Sequence, residues 1–238
     1  MKRRQFAVFD IDGTLVRWQL YHAIADSLAR LGHMDPELHQ AIKSSRRAWK
    51  QRVEGRTFRD YEIEVINIYE KVIADLSAKD VDEAIDDVFE EYKDQVYTYT
   101  RELIKDLKAK EYLLFAISGS QSEVVAKIAG YYGFDDFVGS EYEILDGKFT
   151  GNKTVGSHNK DATLNKLIKK HEADTRDSIA IGDSGSDIVM LEMVEKPIAF
   201  NPDRQLFEHA KGQGWEIIIE RKNMIYKLES RDGSYVLA

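Results

Sequence analysis

Short apolar runs, most of which end at small or acidic residues, constrain the fold of this chain more than any other feature. The runs are Phe6–Asp10, Tyr112–Ser118, Ser178–Asp183, Lys196–Phe200 and Trp215–Glu220. Each run is nearly continuous in apolar side chains, as is typical of strands that are buried on both faces. We therefore expect a parallel sheet that is covered by helices on both sides.

Helical patterns lie between these runs. After the second run, Ser120 and Glu123 have the spacing of a capping box and Gly133 is a stop signal, which predicts a helix between them. Farther on, Asn201 followed by Pro202 predicts the N-cap and the first residue of another helix. Strands that alternate with helices predict an α/β fold with a doubly wound parallel sheet.

The segment 17–96 contains no strand-like run and is predicted to be helical throughout. Within it, Thr57 and Asp60 have capping-box spacing at the start of a long amphipathic pattern. This block separates the first predicted strand from the second, so we interpret it as an inserted helical cap domain. The predicted division is an α/β core of residues 1–16 and 97–238 and a cap of residues 17–96.

Two Asp-Gly pairs predict hairpin turns. Asp146-Gly147 lies between short alternating segments after the second predicted strand. Asp232-Gly233 lies near the end of the chain and predicts a second hairpin there.

Composition limits the classes of function. The 238 residues carry a net charge of −8, which argues against a broad nucleic-acid surface. The chain has no cysteine, which excludes disulfides, thiol chemistry and sites with cysteine ligands. No apolar run approaches the roughly 20 residues that cross a bilayer. We expect a cytoplasmic protein that acts on a small molecule, without a nucleic-acid or membrane partner.

Polar residues follow the predicted strands at the points where the strands end. Because ligands of open α/β sheets bind beyond the carboxyl ends of the strands, these residues are expected to meet at one edge. They are Asp10 and Asp12 after the first strand, Ser118 and Gly119 after the second, and Asp183 and Asp187 after the third; Lys160 stands where a helix begins.

These residues form motifs that occur in a fixed order: DIDGTL at residues 10–15, SGS at 118–120, Lys160, and GDSGSD at 182–187. Together they resemble the four motifs of the haloacid dehalogenase superfamily of phosphatases, over most of the chain. The insert after the first motif is similar to the helical cap of subfamily I members, and the middle section is similar to the branch that includes phosphoserine phosphatase. The resemblance implies a Rossmann-like core and a phosphoric monoester hydrolase.

The resemblance also implies roles for the acidic residues. Asp10 is the expected nucleophile, which forms an aspartyl phosphate, and Asp12 is the expected general acid and base. Mg²⁺ is the expected cofactor, because it prefers hard oxygen ligands. Its implied ligands are Asp10, Asp12 through the backbone carbonyl, and Asp183, with Asp187 beside them to orient Lys160 or a metal-bound water.

The same resemblance assigns the remaining site residues to the phosphate ester. Ser118, the amide of Gly119 and Lys160 are expected to hold the transferring phosphate. Thr14 is expected to hold the turn after the first strand by hydrogen bonding. Gln19 is expected on the substrate side, because it occupies the position where phosphoserine phosphatases have a glutamate that reads the substrate's ammonium group.

Three positions depart from the phosphoserine phosphatase pattern. Besides Gln19, Val65 falls near the position of a cap arginine that binds the substrate carboxylate, and Ser186 stands where the branch often has asparagine. The reaction is therefore predicted, but phosphoserine is not the favoured substrate. Two alternatives remain open: a phosphotransferase or mutase on the same fold, and a non-catalytic protein that binds a phosphate ligand.

Overall fold

The structure is a computed structural model that describes residues 3–55, 57–156, 158–231 and 234–237. Its strands are β1 (Gln5–Phe9), β2 (Leu113–Gln121), β3 (Asp136–Leu145), β4 (Lys148–Thr154), β5 (Asp174–Gly182), β6 (Lys196–Phe200), β7 (Glu216–Arg221), β8 (Met224–Arg231) and β9 (Ser234–Leu237). Its helices are α1 (Leu20–Arg30), α2 (Pro36–Lys50), α3 (Phe58–Ile73), α4 (Ala78–Tyr92), α5 (Thr98–Ala109), α6 (Ser122–Tyr132), α7 (Lys160–Lys170), α8 (Ile188–Leu191) and α9 (Arg204–Gln213), with a 3₁₀ turn at Gly185–Asp187.

The contacts divide the chain into two compact units. The α/β unit consists of residues 1–17, 92–140 and 155–238, and the helical unit consists of residues 18–91 and 141–154. This division differs from the predicted one in two ways. The first segment of the helical unit is residues 18–91 where 17–96 was predicted, and the unit also includes the distal part of the β3–β4 hairpin, which the sequence pattern assigned to the core.

The sheet of the α/β unit has the strand order β3-β2-β1-β5-β6-β7-β8-β9. Neighbouring strands from β3 to β7 are parallel, whereas β7, β8 and β9 are joined as antiparallel neighbours. The sheet confirms the predicted α/β class. The β8–β9 pair agrees with the predicted terminal hairpin, although its turn at Asp232-Gly233 lies outside the described residues.

Helices cover both faces of this sheet. On one face, the rings of Phe6 and Phe115 stack at 5.8 Å within a buried cluster that includes residues of α7, α8 and α9. On the other face, Phe9 meets Phe134, which follows α6, at 5.6 Å, and Phe200 stacks on Tyr99 of α5 at 5.7 Å. Burial on both faces explains why the strands read as continuous apolar runs.

The predicted start of α9 is wrong. Asn201 is not its N-cap: Asn201 has a positive φ of 44°, and its side-chain oxygen accepts a hydrogen bond from the Glu220 amide at 2.8 Å. The N-cap is Asp203, whose carboxylate accepts from the Leu206 amide at 2.7 Å. Both are good capping residue types, and pairing of Asn201 with the neighbouring strand β7 decides between them.

The helical unit contains α1 to α4 and the distal hairpin. The predicted capping box of Thr57 and Asp60 is present at the start of α3. The hairpin is joined to the helices through Tyr142, whose hydroxyl lies 2.9 Å from that of Tyr21 and donates to Glu70 at 3.1 Å. These contacts join residues that are far apart in the sequence, so no local pattern could predict them. None of the described helices has the length and apolar character that crossing a membrane requires.

His22 in α1 is fully buried among aromatic rings of the helical unit, with the ring of Tyr61 at 4.5 Å and that of Trp18 at 5.8 Å. Neither ring nitrogen has a hydrogen-bond partner among the described residues. Burial, assisted by the positive charge of Arg46, lowers the pKa of His22 to about 3, although Asp26 acts in the opposite direction. His22 is therefore neutral in the folded protein at ordinary pH.

His22 should make the helical unit sensitive to acid. In the unfolded chain a histidine has a pKa of about 6.5, so the unfolded state binds the extra proton between roughly pH 3 and pH 6.5. The stability that His22 contributes above pH 6.5 is lost as the pH falls, by about 2 kcal/mol between pH 7 and pH 5. Urea titrations followed by tryptophan fluorescence at both pH values measure this loss.

The variant His22→Leu should lose about 2 kcal/mol less than the wild type over this interval. The matched control is His158→Leu, which removes an exposed imidazole and should keep the wild-type dependence on pH. Equal losses for His22→Leu and the wild type would contradict the assignment.

Candidate active site

The predicted site residues of the α/β unit lie at the carboxyl ends of β1, β2 and β5 and at the start of α7. Lys160 is the first residue of α7, and its side chain is buried with a relative exposure of 2%. Its Nζ donates to Asp10 Oδ1 at 2.7 Å, to Asp187 Oδ1 at 2.6 Å and to the Ile117 carbonyl at 3.3 Å. The ammonium group thus connects the residue that follows β1, the backbone of β2 and the 3₁₀ turn that follows β5.

A group of carboxylates surrounds this lysine. Asp10, Asp183 and Asp187 each offer an oxygen, and these oxygens lie within 4.8 Å of one another. The other oxygen of Asp187, Oδ2, accepts from the amides of Asp183 at 3.1 Å and Ser184 at 3.0 Å. By contrast, Oδ2 of Asp10 is buried and has no hydrogen-bond partner within the described part of the chain.

The protonation of these groups reflects an excess of buried negative charge. Burial raises the pKa of Asp10 to about 7, although the charge of Lys160 opposes this. Burial and the charges of Asp10 and Asp187 also raise the pKa of Asp183 well above its ordinary value. Burial lowers the pKa of Lys160, but Asp10 and Asp187 outweigh it, so that the pKa is raised overall.

These features fit a hard divalent cation. Carboxylate oxygens are the ligands that Mg²⁺ prefers, and a cation would compensate the charge that burial makes costly. The unpartnered Oδ2 of Asp10 is the observation that favours such an ion, because a buried oxygen without a partner costs free energy. Asp187 would take part mainly by orienting its neighbours, because both of its oxygens already accept hydrogen bonds from the protein.

Asp12 has different neighbours. Ser118 Oγ donates to its Oδ2 at 2.6 Å, and Ser120 Oγ donates to its Oδ1 at 2.9 Å. The predicted capping role of Ser120 is wrong: β2 continues to Gln121, and Gln121 occupies the N-cap position of α6. Ser120 is therefore a site residue that the sequence prediction missed. Its spacing of two from Ser118 is the signal that could have found it, because alternate residues of a strand face the same side.

The remaining predicted site residues, Thr14, Gly119 and Gln19, differ in the contacts that their side chains or backbone make. Thr14 is buried, but its hydroxyl has no partner in the described chain, and backbone bonds to Ile11 hold the turn instead. Gly119 lies between the two serines, and its carbonyl accepts from Ser140 Oγ at 2.6 Å. Gln19 belongs to the helical unit, where it precedes α1 without a side-chain capping bond. A role for Gln19 at the substrate remains a prediction.

Gly13 permits a close approach between two strand ends. It has a φ of +83°, and a Cβ at this position would lie 2.1 Å from Asp183 Oδ2. Gly13→Ala should therefore displace the Asp183 carboxylate and lower turnover about 100-fold or more, since small misplacements at a reacting centre have effects of that size. Steady-state kinetics over a range of Mg²⁺ concentrations would measure the loss.

The control for this variant is Gly32→Ala. Gly32 has nearly the same backbone angle, a φ of +84°, but no atom lies within 4 Å of the position of its Cβ. It carries the same backbone strain, roughly 1–2 kcal/mol, without the steric conflict. Equal activity losses in the two variants would show that backbone strain, and not displacement of Asp183, is the cause.

Comparisons with known proteins place this geometry in a family. The family described as haloacid dehalogenase-like hydrolase matches residues 7–192. A phosphoserine phosphatase of Methanocaldococcus jannaschii is 26% identical over 94% of this chain and 95% of its own length. A histidinol-phosphatase of Neisseria meningitidis is 23% identical over 90% of this chain and 98% of its own length.

A solved structure, a phospho-aspartyl intermediate analogue of phosphoserine phosphatase, is similar in fold. It has a TM-score of 0.64 and 24% identity, and the match covers 93% of this chain and 95% of that one. The chain therefore belongs to the haloacid dehalogenase-like hydrolases. Within that family it is phosphoserine phosphatase-like, as its motifs predict.

Proposed function

We propose that this protein is a Mg²⁺-dependent phosphatase that hydrolyses a small phosphomonoester through an aspartyl phosphate on Asp10. The observation that carries the proposal is the buried carboxylate of Asp10, with Oδ1 bound to Lys160 and Oδ2 without a partner among the described residues. A carboxylate held in this way is oriented by Lys160, and its lone pairs are left for the cation at Oδ2 and for the incoming phosphoryl group. Phosphoryl transfer depends mainly on such positioning and on stabilisation of charge.

The cation would be held by Asp10 and Asp183, with the backbone carbonyl of Asp12 as a further proposed ligand and Asp187 adjacent. When bound, it would offset the repulsion between the carboxylates and the phosphate. Lys160 provides a fixed positive charge beside Asp10 and orients its carboxylate.

The other residues of the α/β unit have roles that follow from their donors. Ser118 and the Gly119 amide are proposed to bind the phosphate oxygens. Lys160 is proposed to bind one of them in place of the Ile117 carbonyl, its most distant acceptor at 3.3 Å. Asp12 is proposed to protonate the leaving alcohol while Asp10 attacks phosphorus. It then takes a proton from the water that cleaves the aspartyl phosphate, which regenerates both carboxyl groups.

The residues that bind the phosphate do not define the organic part of the substrate. The two curated relatives act, by their names, on phosphoserine and histidinol phosphate, which share an amino group near the phosphate ester. Gln19 is uncharged where phosphoserine phosphatases have a glutamate, so we propose a small phosphomonoester other than phosphoserine. A cytoplasmic location is part of the same proposal.

The test is phosphate release from a panel that contains phosphoserine, histidinol phosphate, sugar phosphates and polyol phosphates, each with Mg²⁺ and with EDTA. Turnover that needs Mg²⁺ and is concentrated on one class supports the proposal and identifies that class. Turnover that appears only when an acceptor alcohol is added would indicate a phosphotransferase. Binding of phosphate esters without turnover of any member would indicate a non-catalytic binding protein.

A further inference from the structure

The carboxylate of Asp12 is held at both oxygens by two serine hydroxyls of β2. Ser118 Oγ lies 2.6 Å from Oδ2, and Ser120 Oγ lies 2.9 Å from Oδ1. Both serines are buried, with relative exposures of 0% and 3%, whereas Asp12 is partly exposed. Hydrogen bonds to an ionised carboxylate are among the stronger ones in proteins, so this pair fixes the rotation of the carboxylate plane.

The donors are themselves held in place. The Ser120 amide donates to Ser118 Oγ at 2.9 Å, which directs the single proton of that hydroxyl toward Asp12. The neighbouring strand β3 supports the same segment, because Ser140 Oγ donates to the Gly119 carbonyl at 2.6 Å. β3 also approaches closely at Gly139, where a Cβ would lie 2.6 Å from the Ser122 Cα. The Ser118 hydroxyl is thus held by an amide of its own strand, and β3 supports the segment that carries both hydroxyls.

The two serines differ in what else they must do. Ser118 is proposed to bind the transferring phosphate, and a hydroxyl has only one proton to donate. It cannot donate to a phosphate oxygen and to Asp12 at the same time. Binding of a phosphate ester would therefore draw the Ser118 proton away from Oδ2, while the bond from Ser120 to Oδ1 would remain.

We infer that Ser120 is a positioning residue that keeps Asp12 oriented when Ser118 turns to the phosphate, so that Oδ2 carries the proton for the leaving group. This inference rests on the proposed function. In the first step the Asp10–phosphorus bond forms, the ester bond to phosphorus breaks, and the proton on Oδ2 passes to the leaving oxygen. In the second step water attacks phosphorus, its proton returns to Oδ2, and the bond from phosphorus to Asp10 breaks.

The assignment of the oxygens agrees with the chemistry of a carboxylic acid. In its protonated form, one oxygen carries the proton and the other is a carbonyl oxygen that only accepts. Ser120 donates to Oδ1 in either form. Loss of this bond would remove the serine donor that holds Oδ1, which weakens proton transfer more than it weakens binding of the phosphate.

The experiment compares Ser120→Ala, Ser120→Thr and the wild type, with p-nitrophenyl phosphate and phenyl phosphate as probes and Mg²⁺ present. The rate of formation of the phosphorylated enzyme is measured in single turnovers. Phenolate is the poorer leaving group and depends more on the acid. Ser120→Ala should lose on the order of tenfold or more in rate with phenyl phosphate but only a few-fold with p-nitrophenyl phosphate, with KM nearly unchanged.

Ser120→Thr keeps a hydroxyl and should recover most of the rate with phenyl phosphate. The matched control is Ser178→Ala, which removes another buried serine hydroxyl of the α/β unit, one that donates to the Thr175 carbonyl. It should leave the ratio of the two rates unchanged. Thermal unfolding of each variant separates a loss of positioning from a loss of folded protein.

The possible results distinguish a failure of the proposed role of Ser120 from a failure of the proposed phosphatase activity. If the wild-type protein forms no phosphorylated enzyme with either probe, the proposed function is ruled out. Wild-type activity together with equal losses on both probes in Ser120→Ala, or with no loss at all, would overturn the role of Ser120 alone. A selective loss with phenyl phosphate that threonine restores would support it.

Discussion

The variant Asp10→Asn is expected to lose turnover by a factor on the order of 10⁴ or more, because removal of a nucleophile has effects of this size. Asparagine keeps the shape of the side chain but cannot form a stable acyl phosphate. The measurement is phosphate release from the best substrate of the panel, combined with acid quenching to detect phosphorylated protein. Neither turnover nor a phosphorylated protein should be found.

This loss should occur without loss of the fold. Burial raises the pKa of Asp10 to about 7, so its ionised form is not strongly favoured in the absence of a cation. Lys160 keeps its second partner, Asp187, at 2.6 Å. We therefore expect the free energy of unfolding in EDTA at pH 7 to change by no more than about 1 kcal/mol.

Asp161→Asn is a suitable control for this experiment, since it removes an exposed carboxylate from the first turn of α7. It should keep nearly full activity. Substantial turnover in Asp10→Asn would exclude the covalent mechanism and would favour direct attack on phosphorus by water activated at Asp12.

The order of the strands and the proximity of Asp10, Lys160 and Asp187 could be predicted from the sequence because both depend on local patterns. Apolar runs mark buried strands, and polar residues at the ends of parallel strands meet at one edge of the sheet. Asp10, Lys160 and Asp187 are brought together in this way, although Lys160 is far from both in sequence. Once the parallel strands are recognised in the sequence, the residues that follow their carboxyl ends can be expected to lie close together.

Choices between similar local signals could not be predicted. Ser120 has capping-box spacing with Glu123, yet its hydroxyl donates to Asp12, because β2 continues one residue beyond it. Asn201 and Asp203 are both capping residue types, and the positive φ of Asn201 and its contact with β7 exclude it. In each case a tertiary hydrogen bond replaces a local one, and the sequence does not contain the geometry that decides between them.

Removing the charge of Lys160 should lower both the free energy of unfolding and the turnover. Lys160→Met preserves much of the volume but leaves Asp10 and Asp187 buried without their common cation. Breaking a buried ion pair from one side costs about 3–5 kcal/mol. We expect a loss of that order in the free energy of unfolding in EDTA, and a fall in turnover of at least about 100-fold, as for the loss of other groups that stabilise developing charge.

Mg²⁺ should restore part of this stability, because it would replace some of the missing positive charge. Its stabilising effect on Lys160→Met, measured by urea unfolding with and without the ion, should exceed its effect on the wild type. Lys166→Met is the matched control: Lys166 is exposed on the same helix, so its loss should change neither stability nor turnover appreciably. Equal effects of Mg²⁺ on the wild type and Lys160→Met would argue against an ion near these carboxylates.

The double variant Lys160→Met with Asp10→Asn tests whether the loss of stability in Lys160→Met arises from the uncompensated charge of the carboxylates. If Lys160 stabilises the fold mainly by compensating the carboxylates, removal of one carboxylate should relieve part of the damage. The double variant should then be more stable in EDTA than Lys160→Met alone, with a coupling energy of roughly 1–3 kcal/mol between the two sites. Strict additivity of the two changes would mean that Lys160 stabilises the strand ends through packing and its bond to the Ile117 carbonyl, and that the charge of Asp10 has little part in it.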